Sequence, residues 1–140
     1  MVVLDTNVLS EVVRRHPLPR VSTWFTNQAL ANLFICAVTE AELLYGLALL
    51  PEGSRRSILA GDIDRLLNSG FAGRILPFDS AAAHEYASIA ADRRRVGRPI
   101  SIPDAQIAAI AKSRSWAVAT RNVADFEGCG VTLIDPWTAA

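Results

Sequence analysis

Residues 2–7 of the chain read Val2-Val3-Leu4-Asp5-Thr6-Asn7, or VVLDTN. Three apolar residues in a row leave neither face of a strand for water, the pattern of a short parallel strand buried between two layers. That strand stops on an acid, and an apolar pattern with helical spacing follows at once. Val8, Leu9, Val12 and Val13 share one side of a helix expected over residues 7–15. A buried strand that ends on a carboxylate asks for a reason.

Outward from there, strands and helices alternate. Pro17 and Pro19 break the first helix, and residues 21–31 read as a second. LFICA (33–37) is a strand, and residues 39–50 form a helix with Leu43, Leu44, Leu47 and Leu50 on its apolar side. Another helix covers residues 54–68, after Pro51 and Gly53. Gly73 leads into the strand RILPF (74–78), and residues 80–95 make an Ala-rich helix ending near Gly97 and Pro99. Pro103, tolerated in a first helical turn, starts the helix DAQIAAIAKSR, and residues 116–119 and 131–134 supply two more strands. Such alternation predicts an α/β protein whose parallel sheet is covered on both faces.

The 140 residues are 51% hydrophobic and 20% charged, which places the chain among globular proteins and predicts one domain over residues 1–140. A formal net charge of +0 excludes binding of polyanions by overall charge alone. The cations are nearly all Arg, a side chain suited to phosphate, and Lys112 is the single Lys. Cys36 and Cys129 match no metal-ligand spacing, and Cys36 reads as a small core residue. Asp5 falls where a secretory leader needs apolar residues, and no apolar run is long enough for a membrane span. The expected location is the cytoplasm.

In an open parallel sheet each helix starts at the edge where the strands end, and ligands bind there. Asp5 follows the first strand, and Glu42 is expected in the first turn after the second strand. Asp104 begins the helix leading to the fourth strand, while Asn122 and Asp125 follow that strand in TRNVADF. Each acid alone has a plainer reading. Thr39-x-x-Glu42, Ser101-x-x-Asp104 and Asn122-x-x-Asp125 resemble capping boxes, and Asp79 before the 80–95 helix reads simply as a cap. Together the acids are harder to explain this way. Convergent carboxylates repel one another, whereas Ser, Thr and Asn cap helices without charge. A divalent cation removes the conflict, and oxygen donors without paired His or a Cys cluster point to Mg²⁺ or Mn²⁺. A haloacid-dehalogenase-like site requires an acid where Asn7 stands, and a receiver domain requires an adjacent acid pair that is absent. Neither a dinucleotide fingerprint nor a P-loop is present, and His16 and His84 lie away from the proposed edge.

The stretches LDTNVLSE, VTEAELLYG, PDAQIAAIAK and VATRNVADF resemble, in this order and spacing, the PIN-domain nucleases. The similarity covers essentially the whole chain. It is nearest to the short VapC-like toxins of bacterial toxin–antitoxin pairs, within the branch of the fast-intracellular-trafficking PIN protein, which AGRILPFD also resembles. The resemblance implies a three-layer α/β/α domain with a five-stranded parallel sheet in the order 3-2-1-4-5. It carries metal-ligand and catalytic roles onto Asp5, Glu42 and Asp104, with Glu42 favoured over Glu40 by the A-E-L-x-x-G context. The family places a further acid at one of two positions in TRNVADF, here Asn122 or Asp125, and which of them completes the site stays open. Thr6, Asn7, Thr120 and Asn122 are the implied supporting polar residues.

The implied activity is a Mg²⁺- or Mn²⁺-dependent endoribonuclease that leaves 5′-phosphate and 3′-hydroxyl ends by in-line displacement. Arg121, Arg98, Arg14 and Arg15 are candidates for the RNA backbone, while Arg93 and Arg94 read as cations in the last turn of a helix. A tRNA or ribosomal RNA loop is the implied substrate. The implied partners are a small DNA-binding antitoxin that presents an Arg or Lys to the acidic pocket, and a second copy of the chain. Leu44, Tyr45, Leu47 and Leu49 are candidates for a groove or a dimer face. Two alternatives remain: a regulatory partner whose acidic crevice docks the antitoxin to control transcription, and another α/β enzyme in which the acids are caps.

Overall fold

The computed structural model describes residues 1–139. The chain runs β1 (Val2–Leu4), α1 (Thr6–Val12), α2 (Pro19–Thr26), β2 (Leu33–Cys36), α3 (Ala37–Leu49), α4 (Ser54–Arg65) and β3 (Ile75–Leu76). It continues through α5 (Ser80–Arg95), α6 (Ile102–Ser113), β4 (Ala117–Ala119), α7 (Val123–Phe126) and β5 (Leu133–Ile134). The five strands pair in parallel in the order β3-β2-β1-β4-β5, as the resemblance implies. In register, Val3 stands beside Phe34 on one side and Val118 on the other, so β1 is the centre of the sheet.

Strand side chains alternate between faces, and here both faces are covered. Val3 joins Ile89, Ile107, Ile110 and Val118 in one core, under α5 and α6. Leu4 joins Val8, Leu9, Ile35, Leu43 and Ile63 in the other, under α1, α3 and α4. Burying a side chain such as Leu4 or Leu9 contributes about 1.5–3 kcal/mol, so β1 cannot slip by one residue without losing both cores. Cys36 and Cys129 are buried free thiols, as expected of small core residues. Among the described residues no helix is long and apolar enough to cross a membrane.

Several boundaries depart from the expected ones. Helix α2 stops at Thr26, with Asn27 closing it, and Leu30–Asn32 form a separate 3-10 turn into β2. Only Ile75–Leu76 of RILPF and Leu133–Ile134 of the last expected strand are paired. The short helix α7 was not foreseen. The change that matters most is at α3, which begins at Ala37 with no residue between it and β2. Glu42 therefore lies in the second turn, and the expected Thr39-x-x-Glu42 capping box does not form. Thr39 is instead fully buried, with its hydroxyl 3.7 Å from Cys36 Sγ. Asn122 precedes α7 without a side-chain cap bond, so that box is absent too. Ser101 and Asp79 do cap: Asp104 N–H donates to Ser101 Oγ (3.3 Å) and Ala82 N–H to Asp79 Oδ1 (3.0 Å).

Candidate functional site

Asp5 extends β1 by one residue, its N–H donating to the Ala119 carbonyl of β4 (2.9 Å), and only then does the chain turn into α1. That pairing holds the carboxylate at the sheet edge rather than in a free loop, and the residue is 5% exposed. Its Oδ1 accepts from Thr6 N–H (2.7 Å), and its Oδ2 accepts from the Thr120 hydroxyl (2.8 Å) and Asn7 Nδ2 (3.1 Å). Burial pushes the Asp5 pKa up, the Thr120 and Thr6 hydrogen bonds pull it back, and the nearby Asp104 and Glu42 charges raise it further.

The other acids arrive on separate elements. Glu42 is exposed on α3 and accepts from the Thr6 hydroxyl through Oε1 (2.7 Å). Asp104 is half-buried in the first turn of α6. Its pKa is raised by burial and by Asp125, against the pull of Ser101 and Arg93. Asp5, Glu42 and Asp104 line one cavity of about 640 Å³, together with Thr6, Asn7, Arg14, Arg121 and Asn122. Glu40 lines a different groove, against Ala60, Ile63 and Leu67.

Thr120 is fully buried and ties the edge together. It donates to Asp5 and accepts from the Asn122 N–H (3.0 Å). Asn7 joins the same edge from α1, its Oδ1 accepting from the Arg121 N–H (3.2 Å). Asn122 is in the cavity wall, whereas Asp125 is exposed and outside it, acting on Asp104 only through its charge. Arg98 donates to the Ala124 carbonyl (3.2 Å) and Arg15 lines a neighbouring groove, so neither reaches the cavity lining. Arg93 is buried at 6% exposure, its guanidinium donating to the carbonyls of Arg98 (2.7 Å), Asp125 (2.8 Å) and Glu127 (3.0 Å). It is a clamp for the loops on either side of Asp104 and Asp125.

The lining also holds Ser10, Glu11 and Trp137, which reading the sequence had not singled out. Glu11 accepts from the Leu18 N–H (2.8 Å) and from Arg14 (3.0 Å), and those bonds hold its carboxyl below the usual range. One signal was available. Asn7, Ser10 and Glu11 recur at helical spacing on the side of α1 opposite its apolar stripe, and Arg14 continues that spacing just past the helix end.

The donors in the cavity are carboxylate, hydroxyl and amide groups, the set a hard divalent cation takes. As they stand, no three His, Cys, Asp or Glu side chains among the described residues come close enough together to hold a metal ion. Only Asp5 is locked by several hydrogen bonds; Glu42 and Asp104 sit on the rim.

A PIN domain family model matches residues 2–127. The chain is 42% identical to a plasmid stability protein, StbB, of Pseudomonas syringae pv. tomato, over 99% of this chain and 100% of that one. It is 40% identical to the VapC ribonuclease Y4jK of Sinorhizobium fredii, over 100% of both chains. Among solved structures, FitAB bound to a DNA fragment contains a chain with a TM-score of 0.94 and 38% identity, covering 100% of this chain and 98% of that one.

Proposed function

The chain belongs to the PIN domain family, and from that membership we propose that it is a divalent-cation-dependent endoribonuclease, the toxin of a toxin–antitoxin pair. The observation that carries the reading is the convergence of Asp5, Glu42 and Asp104, from β1, α3 and α6, on one cavity that also holds Arg14 and Arg121. These acids would hold Mg²⁺ or Mn²⁺, with Asn122 the better placed of the two further candidates. The bound cation would activate water and offset charge on the phosphate.

The chain's own residues supply the rest. Thr120, Asn7 and Thr6 aim the Asp5 carboxylate by accounting for both of its oxygens. Thr6 also restrains Glu42 through its hydroxyl, so one residue holds two acids, Asp5 by its backbone N–H and Glu42 by its side chain. Arg121 and Arg14 offer donors to the RNA phosphates, which the acids would otherwise repel.

A second reading has its own support. FitAB is a complex on DNA. Beside the acid cavity runs a groove lined by Leu43, Leu47, Leu50, Leu59 and Ile63 and reaching Glu42. An antitoxin segment laid in that groove would bring a basic side chain to the acids, so docking and catalysis share the cavity. The test is to incubate purified protein with total bacterial RNA in Mg²⁺ or Mn²⁺, with and without chelator, and to sequence the fragment ends. Discrete cleavage that chelator abolishes supports the nuclease. Intact RNA in every lane leaves only the docking role.

A further inference from the structure

The cavity that holds the acids also has Arg121 and Trp137 in its wall. Arg121 follows Thr120 directly, and its guanidinium carbon lies 5.3 Å from the centre of the Trp137 ring. Among the described residues its side chain makes no ion pair or hydrogen bond, so its donors are unspent. Trp137 is anchored through its backbone: its N–H donates to Asp135 Oδ1 (2.9 Å), and its carbonyl accepts from Arg20 Nη1 (3.1 Å). The ring packs against the core that contains Leu4 and Leu9. Its indole Nε1, however, is buried and has no hydrogen-bond partner among the described residues. Phe would leave no donor stranded, so the unpaired indole N–H is a cost that the larger ring must offset. What Trp adds over Phe is the aromatic face that attracts a cation most strongly.

We infer that Trp137 is a positioning residue for RNA binding: its ring holds the Arg121 guanidinium in the cavity wall with its donors turned to an RNA phosphate beside the acids. The inference deepens the nuclease reading and rests on it. A guanidinium free to swing would lose rotamer entropy each time it met a phosphate. One already stacked has lost much of it beforehand.

The test uses Trp137→Leu, Trp137→Phe, Arg121→Gln and the double variant Trp137→Leu/Arg121→Gln, each first checked for an unchanged fold by circular dichroism. The Arg121 Nε–H resonance reports stacking without any RNA: it is ring-current shifted in the wild type and in Trp137→Phe, and unshifted in Trp137→Leu. Binding of a fluorescent single-stranded RNA of mixed sequence is then measured in chelator, so that no cleavage intervenes. Trp137→Leu and Arg121→Gln each weaken binding by about three- to tenfold. The double variant is no weaker than Arg121→Gln, and Trp137→Phe stays within about twofold of wild type. In the cleavage assay Trp137→Leu raises KM and leaves kcat nearly unchanged. Wild-type affinity in Trp137→Leu, or additive losses in the double variant, overturns the inference. A wild-type protein that keeps the shifted resonance but neither binds RNA in chelator nor cleaves it with Mg²⁺ or Mn²⁺ instead defeats the nuclease reading beneath it.

Discussion

Thr120→Val removes one buried hydroxyl while keeping the side chain's shape, and so isolates what that hydroxyl does for Asp5. In the native protein it donates to the Asp5 carboxylate over 2.8 Å from a fully buried side chain. A hydrogen bond to a charged group contributes about 1.5–3 kcal/mol, and Asp5 keeps its bonds from Thr6 and Asn7. The Asn122 N–H (3.0 Å) and, more weakly, the Asn7 amide (3.4 Å) also lose Thr120 as an acceptor, and the measured loss includes both. The expected loss at pH 7 is about 2 kcal/mol, or roughly 7 °C in Tm for a chain of this length.

The pH dependence follows from the raised pKa of Asp5. A carboxyl whose native pKa lies above its ordinary 3.8 favours folding below that value, and the contribution disappears as pH rises through the native pKa. The Thr120 bond lowers the native pKa and so limits this loss. Without it the loss deepens, and the gap between Thr120→Val and wild type widens from acid to neutral pH. Urea unfolding of both proteins across that range is the assay. A gap under about 0.5 kcal/mol at pH 7, or one of equal size at every pH, refutes the assigned role of this hydrogen bond.

Other substitutions separate structure from chemistry. Asp104→Asn abolishes RNA cleavage and leaves the unfolding free energy from urea titration within about 1 kcal/mol of wild type, because the N-cap at α6 is made by Ser101 and not by the Asp104 carboxylate. Unfolding of that variant would make Asp104 a structural residue. Arg93→Met strands three carbonyl groups and destabilises by about 3 kcal/mol or more, read by the same urea titration. Asn122→Ala weakens Mn²⁺ binding more than Asp125→Asn does, as measured by calorimetry, because Asn122 lines the cavity and Asp125 does not. Saturating Mn²⁺ stabilises the wild type, by about 2.7 kcal/mol at a hundred times Kd, and leaves the Tm of Asp5→Asn unmoved.

What could be read from the sequence was whatever local chemistry decides. Val2-Val3-Leu4 had to be a buried strand, and Ser80–Arg95 matched its expected bounds because Asp79 caps it and a Gly follows. The strand order came from resemblance, since nothing in alternating strands and helices says which strand lies next to which. Glu42 was misplaced by a turn because β2 passes into α3 at Cys36 without a polar residue to mark the start. Trp137 was invisible for another reason. It follows the last strand with no periodic pattern around it, and only the pairing of β5 with β4 carries it to the cavity. Arg93 looked like one cation in a helix-ending run. Its burial and its three carbonyl partners exist only once α5 and the α7 loop are together.

The central claim is that the buried Asp5 carboxylate holds a cation with which RNA is cut. The most direct test is Mn²⁺ binding followed by electron paramagnetic resonance, with RNA cleavage measured on the same samples of wild type and Asp5→Asn. The expected result is that the wild type binds Mn²⁺ and cleaves, and that the variant does neither while remaining folded. Undiminished Mn²⁺ binding in Asp5→Asn, or cleavage that persists in it, would contradict the account.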